Sequence, residues 1–214
     1  MTVTISMPGH HCNTGRSSRE FIDADQVLHN IGLKKGDVLL DAGCGDGYWA
    51  VAAARIAGER GKIWAADIDR PSLDSLTREI FVKGLGNIHP LLADITQTIP
   101  IVTSSVDICL MVNVLHGLNE DGMAAATLEE AARVLKPGGI LAVVEFKVME
   151  GPPGPPLQVR LSPEKVTELC TPAGFVKKEE FEAGQYNYAI VETRVPGTGY
   201  RVPGPQAARR PPRP

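Results

Sequence analysis

The chain has 214 residues, of which 43% are hydrophobic and 22% charged, so it can bury a substantial core as a single domain. Its formal net charge of −3 gives no basis for binding nucleic acid or an anionic membrane through overall charge. The four cysteines show no C-x-x-C pair or regular spacing, which favours free thiols over a disulfide framework. No apolar run has the length of a membrane span, and the N-terminus lacks a signal-peptide core. We therefore expect a soluble, cytoplasmic protein.

The first part of the chain is predicted to be an arm followed by a helix. Residues 1–18 show no apolar periodicity and are expected to be flexible. His10-His11-Cys12 lies in this arm and lacks the second ligand cluster that zinc sites usually have, so no metal site is predicted. From Arg19 to Ile31, apolar residues recur every three or four positions, which predicts an amphipathic helix carrying Phe21.

A glycine-rich loop follows the first predicted strand. The apolar run Val38 to Leu40 leads into Asp41-Ala42-Gly43-Cys44-Gly45-Asp46-Gly47, and an Ala-rich helical stretch comes next. Gly43, Gly45 and Gly47 can adopt positive φ and let a ligand approach the backbone. The spacing differs from the G-x-G-x-x-G of dinucleotide sites. Asp41 would repel a pyrophosphate and suit a cationic amino-acid group. By itself, the loop predicts a nucleotide site of an α/β protein.

Two further acids follow predicted strands. The strand at 62–66 ends at Asp67, where a carboxylate can accept hydrogen bonds from ribose hydroxyls, and Ile68 comes next. Asp69 is expected to cap the helix predicted at 72–83. The strand at 88–92 leads to Asp94-Ile95, where the acid can accept from an adenine amino group and Ile95 can supply a backbone N–H.

The next two strands end in candidate catalytic residues. Residues 106–112 are nearly continuously apolar, as expected at the centre of a parallel sheet, and Asn113 and His116 follow at their carboxyl end. A helix is predicted from Asp121 to Lys136, followed by a fifth strand, 140–145, that ends in Glu145. His116 can act as a general base or contact a substrate, but a structural hydrogen bond is the alternative.

These motifs together resemble the class I S-adenosylmethionine-dependent methyltransferases. The resemblance covers residues 36 to about 145 and rests on the glycine loop, Asp67, Asp94-Ile95 and the turn from Arg133 to Gly139. The chain is most similar to the small-molecule branch that includes quinone-biosynthesis and arsenite enzymes. The resemblance implies S-adenosyl-L-methionine as cofactor and a small-molecule methyl acceptor. It also implies an α/β fold: a Rossmann-like three-layer αβα sandwich whose seven-stranded, mostly parallel sheet ends in an antiparallel hairpin.

The resemblance also assigns roles to the candidate residues. It implies a cofactor site formed by nine residues: Asp41, Gly43, Gly45, Gly47, Asp67, Ile68, Asp94, Ile95 and Asn113. His116 or Glu145 is the expected base if the acceptor must lose a proton, whereas a thiolate or carbanion acceptor needs none. Cys44 in the loop and Cys109 in a strand disfavour arsenic ligation, and the missing Asn-Pro-Pro-aromatic motif disfavours nucleic-acid bases.

The last part of the chain is expected to complete the domain. Residues 148–161 are Pro-rich and predicted to form a stiff loop over the acceptor pocket, anchored by Lys147 and Arg160. Residues 176–182 and 186–194 are expected to form the closing hairpin. The predicted methyltransferase domain therefore spans 19–195, with the N-terminal helix as a lid and a disordered tail at 196–214.

Two other function classes share this pattern. A non-catalytic adaptor would keep the fold and the cofactor without the reaction, and an NAD(P)-dependent oxidoreductase would share the βαβ unit. The glycine spacing and Asp41 disfavour the oxidoreductase. The acceptor, its reacting atom and assembly as a homodimer are left open by the sequence.

Overall fold

A computed structural model describes residues 18–151 and 154–196 of the chain. Its single sheet has seven strands in the order β3-β2-β1-β4-β5-β7-β6. The strands are β1 Val38–Ala42, β2 Lys62–Asp67, β3 Ile88–Leu92, β4 Val106–Val112, β5 Leu135–Phe146, β6 Phe175–Glu182 and β7 Asn187–Arg194. The helices are α1 Ala24–Asn30, α2 Tyr48–Ala57, α3 Arg70–Lys83, α4 Leu115–Glu120, α5 Ala124–Val134 and α6 Pro163–Cys170.

The strand directions confirm the predicted topology. Strands β1 to β5 pair in parallel, and β7 runs antiparallel between β5 and β6. The chain reverses its order in the sheet between β1 and β4, and ligands bind beside the carboxyl ends of the strands at such a point. Because β7 is antiparallel, its first residue, Asn187, lies at the same edge, opposite Phe146.

Two apolar clusters cover the two faces of the sheet. One joins α1, α2 and α3 to inward side chains such as Leu39, Ile63 and Val191. The other joins α4, α5 and α6 to side chains from alternate strand positions, among them Leu40 and Ile190. The alternation of neighbours such as Leu39 and Leu40 between the clusters is that of a strand buried on both faces. The predicted three-layer sandwich is therefore confirmed.

Two predicted helices are shorter than their sequence patterns indicate. The helix expected from Arg19 starts at Ala24, because the Asp23 side chain accepts a hydrogen bond from the Gln26 backbone N–H at 3.1 Å and caps it. Residues 18–20 form a separate 3-10 turn. The helix expected at 121–136 starts at Ala124 and ends at Val134, since Gly122 turns the chain with a φ of 71° after α4. None of the helices in the described ranges is long and apolar enough to cross a bilayer.

Candidate active site

The glycine loop between β1 and α2 is open on one side and packed on the other. Gly43, Gly45 and Gly47 all have positive φ, at 81°, 50° and 80°. A Cβ on Gly47 would come within 2.3 Å of Leu76 Cδ1, so only glycine lets α3 pack against the loop there. A Cβ on Gly45 would meet no atom within 4 Å. A ligand can therefore approach the backbone at Gly45.

Asp41 lies beneath this loop. It is 1% exposed, and its Oδ2 has no hydrogen-bond partner among the described residues. Burial, together with the nearby charge of Asp67, raises the pKa of Asp41 to about 7, although a hydrogen bond from the Ala50 backbone opposes this. A cationic group above the loop would favour the ionised form. Asp41 can thus act on a ligand through its charge from below the loop.

Asp67 joins the end of β2 to the loop. Its Oδ2 accepts a hydrogen bond from the Gly45 N–H and its Oδ1 accepts one from the Asp69 N–H, both at 2.8 Å. Each carboxylate oxygen retains a further lone pair, so Asp67 can also accept from ribose hydroxyls. Ile68 beside it is 42% exposed. Asp69 caps α3 as predicted, accepting from the Ser72 N–H at 3.0 Å.

Asp94 lies at the end of the neighbouring strand. The Ala93 N–H donates to the Asp67 carbonyl oxygen at 3.0 Å, which places the two strand ends side by side. Asp94 Oδ1 accepts from the Thr96 backbone N–H at 2.9 Å and from its hydroxyl at 2.7 Å. Its Oδ2 has no hydrogen-bond partner among the described residues and is free to accept from a ligand. Ile95 packs its side chain into the core at 9% exposure.

His116 and Glu145 form a hydrogen-bonded pair at the ends of β4 and β5. Glu145 Oε2 lies 2.8 Å from His116 Nδ1, and its Oε1 accepts from the His116 backbone N–H at 3.0 Å. The Glu145 side chain is 1% exposed and that of His116 is 12% exposed. The structure therefore brings both predicted catalytic residues together, with the glutamate behind the histidine.

The environment of this pair shifts the titration of His116. Burial lowers the pKa of His116, but the hydrogen bond from its ring to Glu145 and the Glu145 charge raise it by more. The net effect is a pKa above the ordinary value of a histidine. Because Nδ1 faces Glu145, Nε2 is the ring nitrogen left for a ligand, and it has no hydrogen-bond partner among residues 18–151 and 154–196.

Two basic side chains fasten the segments around this pair. Arg160 donates to the carbonyl oxygens of Lys147, Met149, Gly151 and Pro155 at 2.9 to 3.3 Å. Its guanidinium also lies 5.6 Å from the centre of the Phe146 ring. Lys147 Nζ donates to the carbonyl oxygens of Gly184 and Gln185 in the β6–β7 turn. Both residues hold the loop as predicted, although Pro152 and Pro153 lie outside the described residues.

The segment 18–22 lies between the glycine loop and the β6–β7 turn. At one end, Arg19 pairs with Asp46 at 3.0 Å and the Trp49 indole N–H donates to Ser18 Oγ at 2.8 Å. At the other end, Phe21 packs edge to face on Tyr186 with ring centres 6.0 Å apart. The role of the N-terminal helix with Phe21 as a lid over the cofactor stays a prediction.

An asparagine pair at the same sheet edge includes a residue that the sequence did not indicate. Asn113 has a left-handed backbone with a φ of 54°, and its Oδ1 accepts from Asn187 Nδ2 at 3.1 Å. Asn187 is 1% exposed. In the sequence, Asn187 was a polar residue at the second position of the hairpin strand predicted at 186–194, and no motif included it.

The candidate metal ligands and the cysteines of the described part of the chain lie apart from one another or are buried. No cluster of three or more His, Cys, Asp or Glu side chains suited to a metal occurs there. Burial raises the pKa of Cys44, Cys109 and Cys170, which keeps these thiols protonated. His10, His11 and Cys12 lie outside the described residues.

Known proteins are similar to this chain in both sequence and fold. A family model described as a methyltransferase domain matches residues 39–139. The crystal structure of an S-adenosylmethionine-dependent methyltransferase from Aquifex aeolicus superposes with a TM-score of 0.77 at 30% identity, over 86% of this chain and 96% of that one. The chain belongs to the S-adenosylmethionine-dependent methyltransferases. The expected cofactor, S-adenosylmethionine, is thereby confirmed.

Curated relatives of this methyltransferase include proteins named for quinone biosynthesis. The ubiquinone/menaquinone biosynthesis C-methyltransferase UbiE of Neisseria gonorrhoeae is 32% identical over 126 residues, which is 59% of this chain and 49% of that protein. The demethylmenaquinone methyltransferase of Geobacillus kaustophilus is 29% identical over 121 residues, 56% of this chain and 50% of that protein. The chain thus spans about half the length of these relatives.

The site fits an S-adenosylmethionine molecule on its own geometry. The open face at Gly45, the buried unpartnered oxygen of Asp41 and the free Oδ2 of Asp94 follow one another along the carboxyl ends of neighbouring strands. Carboxylates in these positions match a ligand that carries an ammonium group, a ribose and an adenine amino group.

Proposed function

We propose that this methyltransferase methylates a small molecule whose hydroxyl group is deprotonated by His116. The observation that carries the proposal is the His116–Glu145 pair, which leaves Nε2 of a half-buried histidine without a protein partner at the sheet edge. A general base needs a free lone pair and a fixed orientation, and this pair supplies both.

The residues described above would hold the cofactor across the ends of β1 to β4. The glycine loop and Asp41 would bind its methionine part, Asp67 with Ile68 its ribose, and Asp94 with Ile95 its adenine. When bound, S-adenosylmethionine supplies a methyl group on a positively charged sulfur, so the protein has to align and deprotonate the acceptor rather than activate the donor.

His116 and Glu145 would divide the proton chemistry between them. His116 Nε2 accepts the hydroxyl proton, and the Glu145 carboxylate stabilises the resulting imidazolium through Nδ1. The Glu145 side chain is 1% exposed against 12% for His116, and both of its oxygens are bonded to His116, so it orients the ring from behind and does not itself reach a substrate. Of the two bases that the sequence left open, we therefore assign the role to His116.

We further propose a phenol or quinol as the acceptor. Two observations support this class: the curated relatives are named as quinone-biosynthesis methyltransferases, and aromatic side chains of Phe21, Phe146 and Tyr186 lie on the segments around the pair. By taking a phenolic proton, His116 would leave negative charge on the oxygen and the adjacent ring carbons of the acceptor. The same base thus serves O-methylation and C-methylation, although after C-methylation the methylated ring carbon must also release its proton to solvent to restore the aromatic ring.

The test combines cofactor binding with product analysis. Calorimetry with S-adenosylhomocysteine measures the cofactor site, and mass spectrometry after incubation with labelled donor and 1,4-naphthohydroquinone detects a methylated product. We expect binding and a product that is lost in His116→Ala and kept in Lys178→Ala, an exposed β6 control. Binding without any phenolic product would refute the acceptor class and favour the adaptor. Absent binding would refute the cofactor assignment.

A further inference from the structure

The contact between Asn187 and Asn113 joins two distant parts of the chain at the cofactor edge. The two residues are separated by 74 positions, and the Asn187 amide reaches Asn113 as a donor at 3.1 Å. Asn113 directly follows β4, and its own N–H donates to the Val144 carbonyl oxygen at 2.8 Å. Its backbone is therefore fixed by β5 and its side chain by β7.

This contact is maintained in spite of two unfavourable features. Asn113 adopts a left-handed φ of 54°, which non-glycine residues rarely do. Asn187 Oδ1 is buried and has no hydrogen-bond partner among the described residues. Strain and unpaired polar atoms cluster where a protein maintains a functional geometry. A purely structural contact at this position would be better served by an apolar pair.

The hydrogen bond determines which end of the Asn113 amide is available. Since Oδ1 of Asn113 is taken by Asn187, the free end is Nδ2, a donor that has no partner in the described ranges. Asn113 is the neighbour in sequence of Val114, whose side chain lies against the glycine loop, since a Cβ on Gly43 would lie 2.8 Å from Val114 Cγ2.

No residue from Asp41 to Gly47 carries a strong side-chain donor, and the neighbouring Arg19 is paired with Asp46. The polar side chains within and beneath it are those of Asp41, Asp46 and Asp67, which can only accept when ionised. They suit the ammonium group of a bound amino acid but repel its carboxylate. Asn113 Nδ2 can donate a hydrogen bond to that carboxylate.

We propose that Asn187 is a positioning residue that orients the Asn113 amide, so that Nδ2 donates to the methionine carboxylate of the cofactor. This inference rests on the proposed cofactor placement. Asn187 itself does not touch the ligand.

The test substitutes the donor without changing its shape. In Asn187→Asp the introduced carboxylate cannot donate, so the Asn113 amide turns its Nδ2 toward it and presents Oδ1 to the ligand. Calorimetry compares S-adenosylhomocysteine with 5′-methylthioadenosine, which lacks the amino-acid part. We expect S-adenosylhomocysteine to bind about tenfold more weakly, as for one lost hydrogen bond to a charged group, and 5′-methylthioadenosine to bind as in the wild type.

Each other outcome has a definite meaning. Unchanged affinity for S-adenosylhomocysteine overturns the inference, and an equal loss for both ligands shows general damage to the site and also overturns it. No binding by the wild type would instead refute the proposed function.

A second pair of variants distinguishes the loss of the hydrogen bond from a folding defect. Asn187→Ala removes both the donor and the unpaired oxygen, so the melting temperature should be kept while S-adenosylhomocysteine affinity falls. A lower melting temperature with unchanged affinity would assign Asn187 a structural role only. Asn113→Asp retains the acceptor for Asn187 and loses the donor, and it should show the same ligand selectivity as Asn187→Asp.

Discussion

The buried carboxylate of Asp41 should reduce the stability of the ligand-free protein at neutral pH. Its pKa is raised from the ordinary 3.8 to about 7, first by burial and then by the charge of Asp67. At about 1.4 kcal/mol per pKa unit, this difference corresponds to roughly 4 kcal/mol. Because the folded-state pKa is the higher one, the unfolded chain releases this proton first. Stability is thus lost as the pH rises from about 4 to about 7.

Asp41→Asn should remove this loss. The amide has the same shape, carries no charge and can still accept the hydrogen bond from the Ala50 backbone. It leaves a buried N–H₂ where Oδ2 had no partner, which costs about 1–3 kcal/mol. The net gain at pH 8 should therefore be about 1–3 kcal/mol. Near pH 4, where Asp41 of the wild type is protonated, only the cost of the unpaired amide remains, so the variant should be about 1–3 kcal/mol less stable than the wild type.

Urea unfolding at pH 5 and pH 8 measures the stability difference between Asp41→Asn and the wild type. Calorimetry measures the effect of the same substitution on the affinity for S-adenosylhomocysteine. Affinity should fall at least about tenfold at pH 8, because the charge facing the ligand ammonium is lost. Asp46→Asn is the matched control: its side chain is 46% exposed in an ion pair with Arg19, so stability should change by less than about 1 kcal/mol at either pH. A variant at position 41 that is less stable than the wild type at pH 8, or equally altered at both pH values, would refute this reasoning.

Three further substitutions test other parts of the site. Glu145→Gln removes the charge that raises the pKa of His116, so the rising limb of kcat against pH should move to lower pH; an unmoved limb would argue against His116 as the base. Arg160→Lys breaks the bonds to four carbonyl oxygens, and steady-state kinetics should show a several-fold higher KM for the acceptor with unchanged affinity for S-adenosylhomocysteine. In Gly47→Ala the new methyl group would clash with Leu76, so the free energy of unfolding measured in urea should fall by about 1–3 kcal/mol. In Gly45→Ala the methyl group would contact no neighbour, so the loss of stability should be smaller, while the affinity for S-adenosylhomocysteine should fall as much as in Gly47→Ala. Equal stability of the two glycine variants would contradict the assigned packing of the loop.

The parts of the fold that the sequence predicted are those with local signals. The glycine loop, Asp67 and Asp94 each follow an apolar run directly, so their place at the carboxyl edge follows from strand periodicity alone. Helix starts were less predictable, because the Asp23 cap outweighs the apolar spacing that continues back to Phe21. Such boundaries depend on single side-chain hydrogen bonds that a periodic pattern does not contain.

Asn187 was missed for a different reason. Its place at the cofactor edge depends on β7 running antiparallel beside β5, so that the start of one strand meets the end of the other. The hairpin was predicted, but a polar residue at a hairpin turn has an ordinary local explanation. Only the three-dimensional register turns that residue into a neighbour of Asn113.

Most of the residues that the sequence could predict are assigned to the cofactor, whereas many of the contacts that it could not predict join the segments assigned to the acceptor. In the proposed placement, most of the cofactor groups would be held by residues near the ends of successive strands, β1 to β3, where each strand carries its own motif. The segments to which we assign the acceptor are the segment 18–22, the loop at 147–160 and the β6–β7 turn. They are distant in sequence and are joined by Lys147, Arg160 and the Phe21–Tyr186 contact. Changes in any of these three segments can alter the acceptor without touching a strand end. Acceptor specificity should therefore transfer with these segments when they are exchanged together between two such methyltransferases, and S-adenosylhomocysteine affinity should stay with the strand ends.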